Sequence, residues 1–268
     1  MTLFSNLKAH PETKAILSHL VESQKLPKTL LFHGISGVGK LSFAIEFARY
    51  RLKTQKKDPP DLRVIKSSGK AQLITMESAL KIIENAKEPP FESKEKWILI
   101  DDAHRLHTAA ANALLKTLEE PIETTHFILV ASSRNALLPT ILSRSHSLYF
   151  PPLQDRWIEE EFEEEESRDL LTKIAAGSLG RALMLKNSKE LLQLIHSFLQ
   201  EKRVLEKLEI ARKIEEECLV EGELSFEKFD LLCDSLAVFG GRSFYSKVEA
   251  MRENGDRNIK LRHLLETL

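Results

Sequence analysis

Residues 34–40 read G-I-S-G-V-G-K, and they constrain the chain more than any other stretch. They match G-x-x-x-x-G-K. An apolar run at residues 29–33 precedes them, and a helical pattern at residues 42–53, with Phe43, Ala44, Phe47, Ala48 and Tyr50, follows. Strand, glycine loop and helix in that order form the setting in which backbone N–H groups cradle phosphate oxygens. The positive end of the helix dipole adds to the attraction. Gly34, Gly37, Gly39 and Lys40 are therefore the candidate phosphate-binding residues, with Lys40 neutralising the β- and γ-phosphates. One position departs from the pattern. The residue after the lysine should carry a hydroxyl that ligates Mg²⁺, and here it is Leu41. Ser42 does not replace it, because one residue along a helix is a rotation of ~100°. The loop is expected to form while metal-assisted hydrolysis is impaired.

A second constraint lies at residues 97–121, W-I-L-I-D-D-A-H-R-L-H-T-A-A-A-N-A-L-L-K-T-L-E-E-P. Its first four residues are long enough for a buried strand and too short for a buried helix. Asp101 and Asp102 follow where that strand ends, and ligand chemistry in open α/β sheets gathers at such ends. Taken alone, the pair reads equally as solvated carboxylates or as metal-orienting and water-handling acids, with Asp102 standing where glutamate is commoner. Residues 108–120 repeat at helical spacing, with Thr108 as expected N-cap and Pro121 as the stop.

The same alternation runs through residue 150. Helices are expected over residues 12–23 and 75–87, the latter on Met76, Leu80, Ile83 and Ala86, and strands over 62–65, 126–131 and 148–150. This pattern is that of an α/β domain with a mostly parallel sheet. Pro151-Pro152 marks a boundary, after which the chain reads as helices. The acidic run at 155–169 is expected to be a solvated face. From Ser188 an amphipathic stripe carries Leu191, Ile195, Phe198, Leu205 and Leu208, and a last helix carries Leu261, Leu264, Leu265 and Leu268.

Composition removes several function classes. A formal net charge of -1 gives no global basic field for nucleic acid. Two cysteines, Cys218 and Cys233, make neither a metal-ligand spacing nor a disulfide framework. No apolar run approaches the ~20 residues of a membrane helix, and no charged-then-apolar leader opens the chain. A cytoplasmic protein is expected.

The order H-G-I-S-G-V-G-K, I-D-D-A-H-R-L, A-A-N-A-L-L-K-T-L-E-E-P, F-I-L-V-A-S, L-P-T-I-L-S-R and G-S-L-G-R-A resembles the AAA+ clamp-loader subunits of bacterial DNA polymerase III, above all the delta-prime type, over residues 1–187. The resemblance implies an AAA+ P-loop domain at residues 1–152, a small helical lid at 153–187 and an all-α collar at 188–268. It implies a largely non-hydrolysing stator within a ring that places a sliding clamp on primed DNA. Ser143 and Arg144 fall on a Ser-Arg motif whose arginine reaches into a neighbour's nucleotide site, so the Arg144 guanidinium is expected to stand free at the surface. Arg181 falls on the sensor 2 turn. The implied partners are gamma/tau-like and delta-like subunits, with clamp and primed DNA reached through the complex and no membrane. No cofactor is required: ATP with Mg²⁺ would bind weakly, and residues 51–75 hold no cysteine for the zinc module common in bacterial members.

Two other readings stay open. An ATP-hydrolysing motor of the gamma/tau type would share these motifs, and Leu41 argues against it. An unrelated P-loop kinase or DNA-binding protein would lack the 111–121 helix and the Ser143-Arg144 motif, and near-zero net charge argues against strong autonomous DNA binding.

Overall fold

The computed structural model describes residues 9–67, 73–163, 165, 167–220, 223–224 and 232. The chain falls into two compact units, residues 1–152 and 153–268.

In the first unit, Pro11 at the first turn pre-sets helix α1, Pro11–Glu22. Strand β1, Thr29–His33, leads through the glycine loop into α2, Lys40–Leu52. Then come β2, Leu62–Ile65, and α3, Met76–Lys87, whose N-cap Thr75 accepts from Ser78 N–H. Strand β3, Lys96–Ile100, a 3₁₀ turn at Ala103–Arg105 and α4, Thr108–Glu119, follow. The unit closes with β4, Thr125–Ala131, the short helix α5, Pro139–Leu142, and β5, His146–Tyr149.

Among the described residues, the five strands form one sheet in the order β2-β3-β4-β1-β5, with every neighbouring pair parallel. The inner strands β3 and β4 are buried throughout, while the edge strands β2 and β5 expose side chains. A parallel sheet has helices on its faces, so the inner strands read as continuous apolar runs. The core beneath α3 and α4 joins Ala79, Ile82, Ala86, Ala111, Leu114 and Leu118 to Ile98, Phe127 and Leu129. Polar residues enter this layer only when paired. Thr29 and Thr125 hydroxyls donate to the Leu118 and Ala86 carbonyls, and the buried Lys96 ammonium donates to the Asn85 carbonyl.

Three local expectations change. The cap of α4 is His107, whose Nδ1 accepts from Ala109 N–H, and Thr108 is the first helical residue. On α3, Met76 and Leu80 are exposed, because the small Ala79 and Ala86 with Ile82 form the face that meets the sheet. The inner strands β3 and β4 each begin one residue early, at Lys96 and Thr125, where a paired polar side chain extends the strand.

The second unit contains α6, Asp155–Glu161, α7, Arg168–Ala175, α8, Leu179–Asn187, α9, Lys189–Gln200, and α10, Val204–Glu217. A two-stranded antiparallel pair follows, β6, Leu219–Val220, and β7, Glu223–Leu224. The acidic run contributes α6, with Ile158 and Phe162 buried and Glu159, Glu160 and Glu161 exposed. The single stripe expected from Ser188 is two helices. The Glu201 carboxylate accepts from the N–H groups of Lys202 and Arg203 and so fixes a turn between them. Leu191, Ile195 and Phe198 are buried on α9, whereas Leu205 on α10 is exposed. The Leu208 side chain and the stripe at Leu261, Leu264, Leu265 and Leu268 lie outside the described residues, as does Cys233. Cys218 is buried. No helix among the described residues is long and apolar enough to cross a membrane.

Candidate nucleotide site and arginine finger

Parallel pairing aligns the strand ends. His33 lies in register with Ala131 and with Tyr149, Ile100 with Leu129, and Ile65 with Ile100. The residues that follow, Gly34, Ser132, Phe150 and Asp101, therefore gather at the carboxyl edge of one sheet, the edge at which such sheets hold ligands.

The glycine loop is shaped by close packing at its first residue. A Cβ on Gly34 would meet the Phe150 carbonyl oxygen at 2.1 Å, so no other residue fits there. Gly39, with φ 94°, turns the loop into α2, and a Cβ there would meet nothing within 4 Å, so that side of the loop is open. His10 supports the loop from behind. It is buried, lies edge-on to Phe43 and Phe150, and its Nε2 is 2.8 Å from the Val38 carbonyl. Facing a carbonyl, Nε2 must carry the proton. Burial holds the His10 imidazole below its ordinary pKa.

Lys40 is 6% exposed. Its ammonium donates to the Gly34 carbonyl at 2.6 Å and to the Ile35 carbonyl at 2.7 Å, closing the loop upon itself. Burial lowers its pKa to about 8, against the pull of Asp102 and Asp101. Leu41 is half-buried in the first turn of α2 and Ser42 is exposed.

Asp101 follows β3, and its carboxyl pKa is raised by burial and by the neighbouring Asp102 carboxylate. Asp102 adopts a left-handed backbone, φ 49°, at the head of the 3₁₀ turn. That turn brings His104 within 3.5 Å of Ser132 Oγ, and burial lowers the His104 pKa. The motifs assign no role to His10, His104 or Ser132, because their partners, Val38 for His10 and each other for His104 and Ser132, come from distant parts of the chain.

The donor set can be judged against the ligand it resembles. The open glycine loop, the first turn of α2 with N–H groups lacking intrahelical acceptors and the Lys40 ammonium suit phosphate oxygens. Asp101 and Asp102 suit a divalent cation. The missing hydroxyl at Leu41 removes a ligand that metal-assisted hydrolysis uses. Among the described residues, no group of three or more His, Cys, Asp or Glu side chains is arranged to hold a metal by itself.

Ser143 and Arg144 follow α5. Ser143 is exposed. The Arg144 guanidinium is not free, contrary to expectation: its side chain is 27% exposed and it bonds Glu119 at the end of α4. Arg181 belongs to the second unit. Its guanidinium donates to the Ile174 and Ala175 carbonyls, where a cation complements the C-terminal end of α7, and its N–H is accepted by the α8 cap Ser178.

Residues 9–154 match the family model described as DNA polymerase III, delta subunit. The chain is 29% identical over 186 residues to the DNA polymerase III subunit delta' of Bacillus subtilis, covering 62% of this chain and 55% of that protein. It is 27% identical over 223 residues to the subunit gamma/tau of Mycoplasma genitalium, covering 75% of this chain and 37% of that one. Among solved structures, a DNA polymerase III gamma-subunit-related protein from Thermotoga maritima superposes with TM-score 0.57 at 19% identity, covering 94% of this chain and 97% of that one. RuvB of Thermotoga maritima superposes at 0.53 and 17%, covering 96% and 85%. At those identities the superpositions establish a shared fold alone, a parallel α/β sheet flanked by helices. The chain spans little more than half the length of the delta' relative, and the match to the family model covers more than half of the chain itself. The chain therefore belongs to the DNA polymerase III delta-subunit family, and within it resembles the delta' subunit.

Proposed function

We infer that this chain is a stator: a largely non-hydrolysing clamp-loader subunit that lends Arg144, with Ser143, to the nucleotide site of a neighbouring ATPase subunit. Leu41 carries the reading. The loop at Gly34–Lys40 otherwise has the glycines and lysine of a phosphate site, so the change falls on a side chain that metal-assisted hydrolysis uses. An arginine after α5 then has a use that its own subunit does not supply, since an arginine finger is worth roughly 10³ to 10⁵ in rate where one operates in trans. A guanidinium suits that task because it stays charged and offers a planar fork to phosphate oxygens.

In this reading, the second unit comprises a helical lid at residues 153–187 and a collar at 188–268 that holds the subunit in a ring. The partners are gamma/tau-like and delta-like subunits, with the sliding clamp and primed DNA engaged through the complex. Nucleotide at Lys40, Asp101 and Asp102 would bind weakly, and no zinc is used. The competing reading is a motor of the gamma/tau type, favoured by the intact glycine loop and the Asp101-Asp102 pair.

Turnover by the purified chain decides between them. The stator reading predicts negligible ATP hydrolysis with or without DNA, and Leu41→Thr should tighten Mg-nucleotide binding without restoring turnover. A rate near ~1 s⁻¹, inside the ordinary enzyme range, would establish the motor instead.

A further inference from the structure

Arg144 is held by its own subunit. Its Nη2 donates to Glu119 Oε2 at 2.9 Å, and its Nη1 donates to the Thr140 carbonyl at 3.0 Å and lies 3.3 Å from Ser143 Oγ. Its Nε is shut off from solvent with no hydrogen-bond partner. A guanidinium grips an anion bidentately through two adjacent N–H groups. Here neither pair is open. The Nη1–Nη2 edge is divided between Thr140 and Glu119, and the Nε–Nη2 edge is closed by burial at one end and by the carboxylate at the other.

Glu119 is the last residue of α4, and Arg144 lies two residues beyond α5. The pair thus ties the T-L-E-E-P end of one sequence motif to the I-L-S-R end of another. The anchor is weak by design of its surroundings: the side chains are 27% and 52% exposed, so water competes for both. Thr140 offers only a carbonyl dipole, and the Glu119 carboxylate is the one charged group in contact with the guanidinium among the described residues.

We propose that Glu119 is a positioning residue that parks the Arg144 finger, holding it against its own subunit until a neighbour's nucleotide competes for it. The proposal rests on the reading of Arg144 as a finger in trans. A carboxylate and a γ-phosphate compete for the same donors, so removing the carboxylate charge should shift the finger toward the released state. An exposed pair of this kind changes such an equilibrium by about two- to fivefold.

The test uses the full chain assembled with gamma/tau-type ATPase subunits and ATP, without DNA, so that resting turnover is read. Glu119→Gln should raise that turnover about two- to fivefold, and the effect should vanish in the Glu119→Gln, Arg144→Ala double variant. Glu120→Gln, one residue along on the exposed helix end, should change nothing. Glu119→Asp keeps the charge at shorter reach and should fall between wild type and Glu119→Gln; it also serves if the glutamine variant folds poorly. Unchanged turnover in Glu119→Gln, with Arg144→Ala still deficient, would overturn the parking role and leave the finger intact. Lower turnover in Glu119→Gln would make Glu119 an orienting group for the engaged finger and also overturn parking. A rise that persists without Arg144 would remove both the parking role and the link between them. Wild-type turnover in Arg144→Ala itself would remove the finger reading on which the proposal stands.

Discussion

Lys40 makes a quantitative test of how the glycine loop rests. Its pKa lies near 8 in the folded chain against 10.5 in the unfolded one, chiefly because burial disfavours the charge. A folded value below the unfolded value means that the unfolded chain takes up the proton first as pH falls. Stability tied to this group is therefore present above about pH 10.5 and is lost as pH falls through 8. Two and a half units correspond to about 3 kcal/mol, lost in full below pH 8. Lys40→Met removes the ionisation together with the bonds to the Gly34 and Ile35 carbonyls. At any single pH the two variants thus differ by a small balance of opposing effects. The change with pH isolates the ionisation. Between pH 7.5 and 10, the wild type should gain about 2 kcal/mol on Lys40→Met, measured by urea unfolding of both proteins at several pH values. A stability difference that stays constant over that range would show that Lys40 ionises as a solvated lysine and that burial does not depress its pKa.

Two further outcomes follow from the same sheet edge and its opposite end. Gly34→Ala should destabilise the first unit by about 3 kcal/mol, because its Cβ would collide with the Phe150 backbone; a thermal midpoint unchanged from wild type would contradict the packing. His126 stacks on Trp97 at 4.7 Å, and burial, aided by Lys28, lowers its pKa to about 4 despite the Glu95 carboxylate. Its folded value is below the unfolded 6.5, so it contributes stability above pH 6.5 that is lost as pH falls toward 4, about 3 kcal/mol in all. His126→Phe keeps a ring on Trp97 and should flatten the acid limb of the stability curve; an unchanged slope between pH 6.5 and 4 would refute the assignment.

Much of the first unit is readable in the chain because its signals are local. The apolar run Thr29–His33, the glycine loop and the run before Asp101 each specify an element without reference to anything distant. Two limits shift at Lys96 and Thr125, polar residues that enter the sheet because a distant carbonyl, Asn85 or Ala86, receives them. The candidate site follows the same division. Lys40, Asp101 and Asp102 are marked by motif and position. His10 and Glu119 are not, since their roles depend on Val38 and Arg144, which only the folded chain brings to them. In the second unit, periodicity alone runs Leu191 and Leu205 into one stripe, because the turn between them is made by a carboxylate, Glu201, that an amphipathic pattern treats as solvent-facing.

The central claim is that Arg144 acts on a neighbour's nucleotide while this chain hydrolyses little itself. It is tested most directly by ATP turnover of a reconstituted clamp loader with primed DNA, comparing wild type with Arg144→Ala. The variant is predicted to fold and to enter the complex at unchanged stoichiometry, while turnover at the adjacent ATPase site falls by about 10³-fold or more, with Arg144→Lys recovering little of it. Equal turnover from fully assembled wild-type and Arg144→Ala complexes would contradict the account.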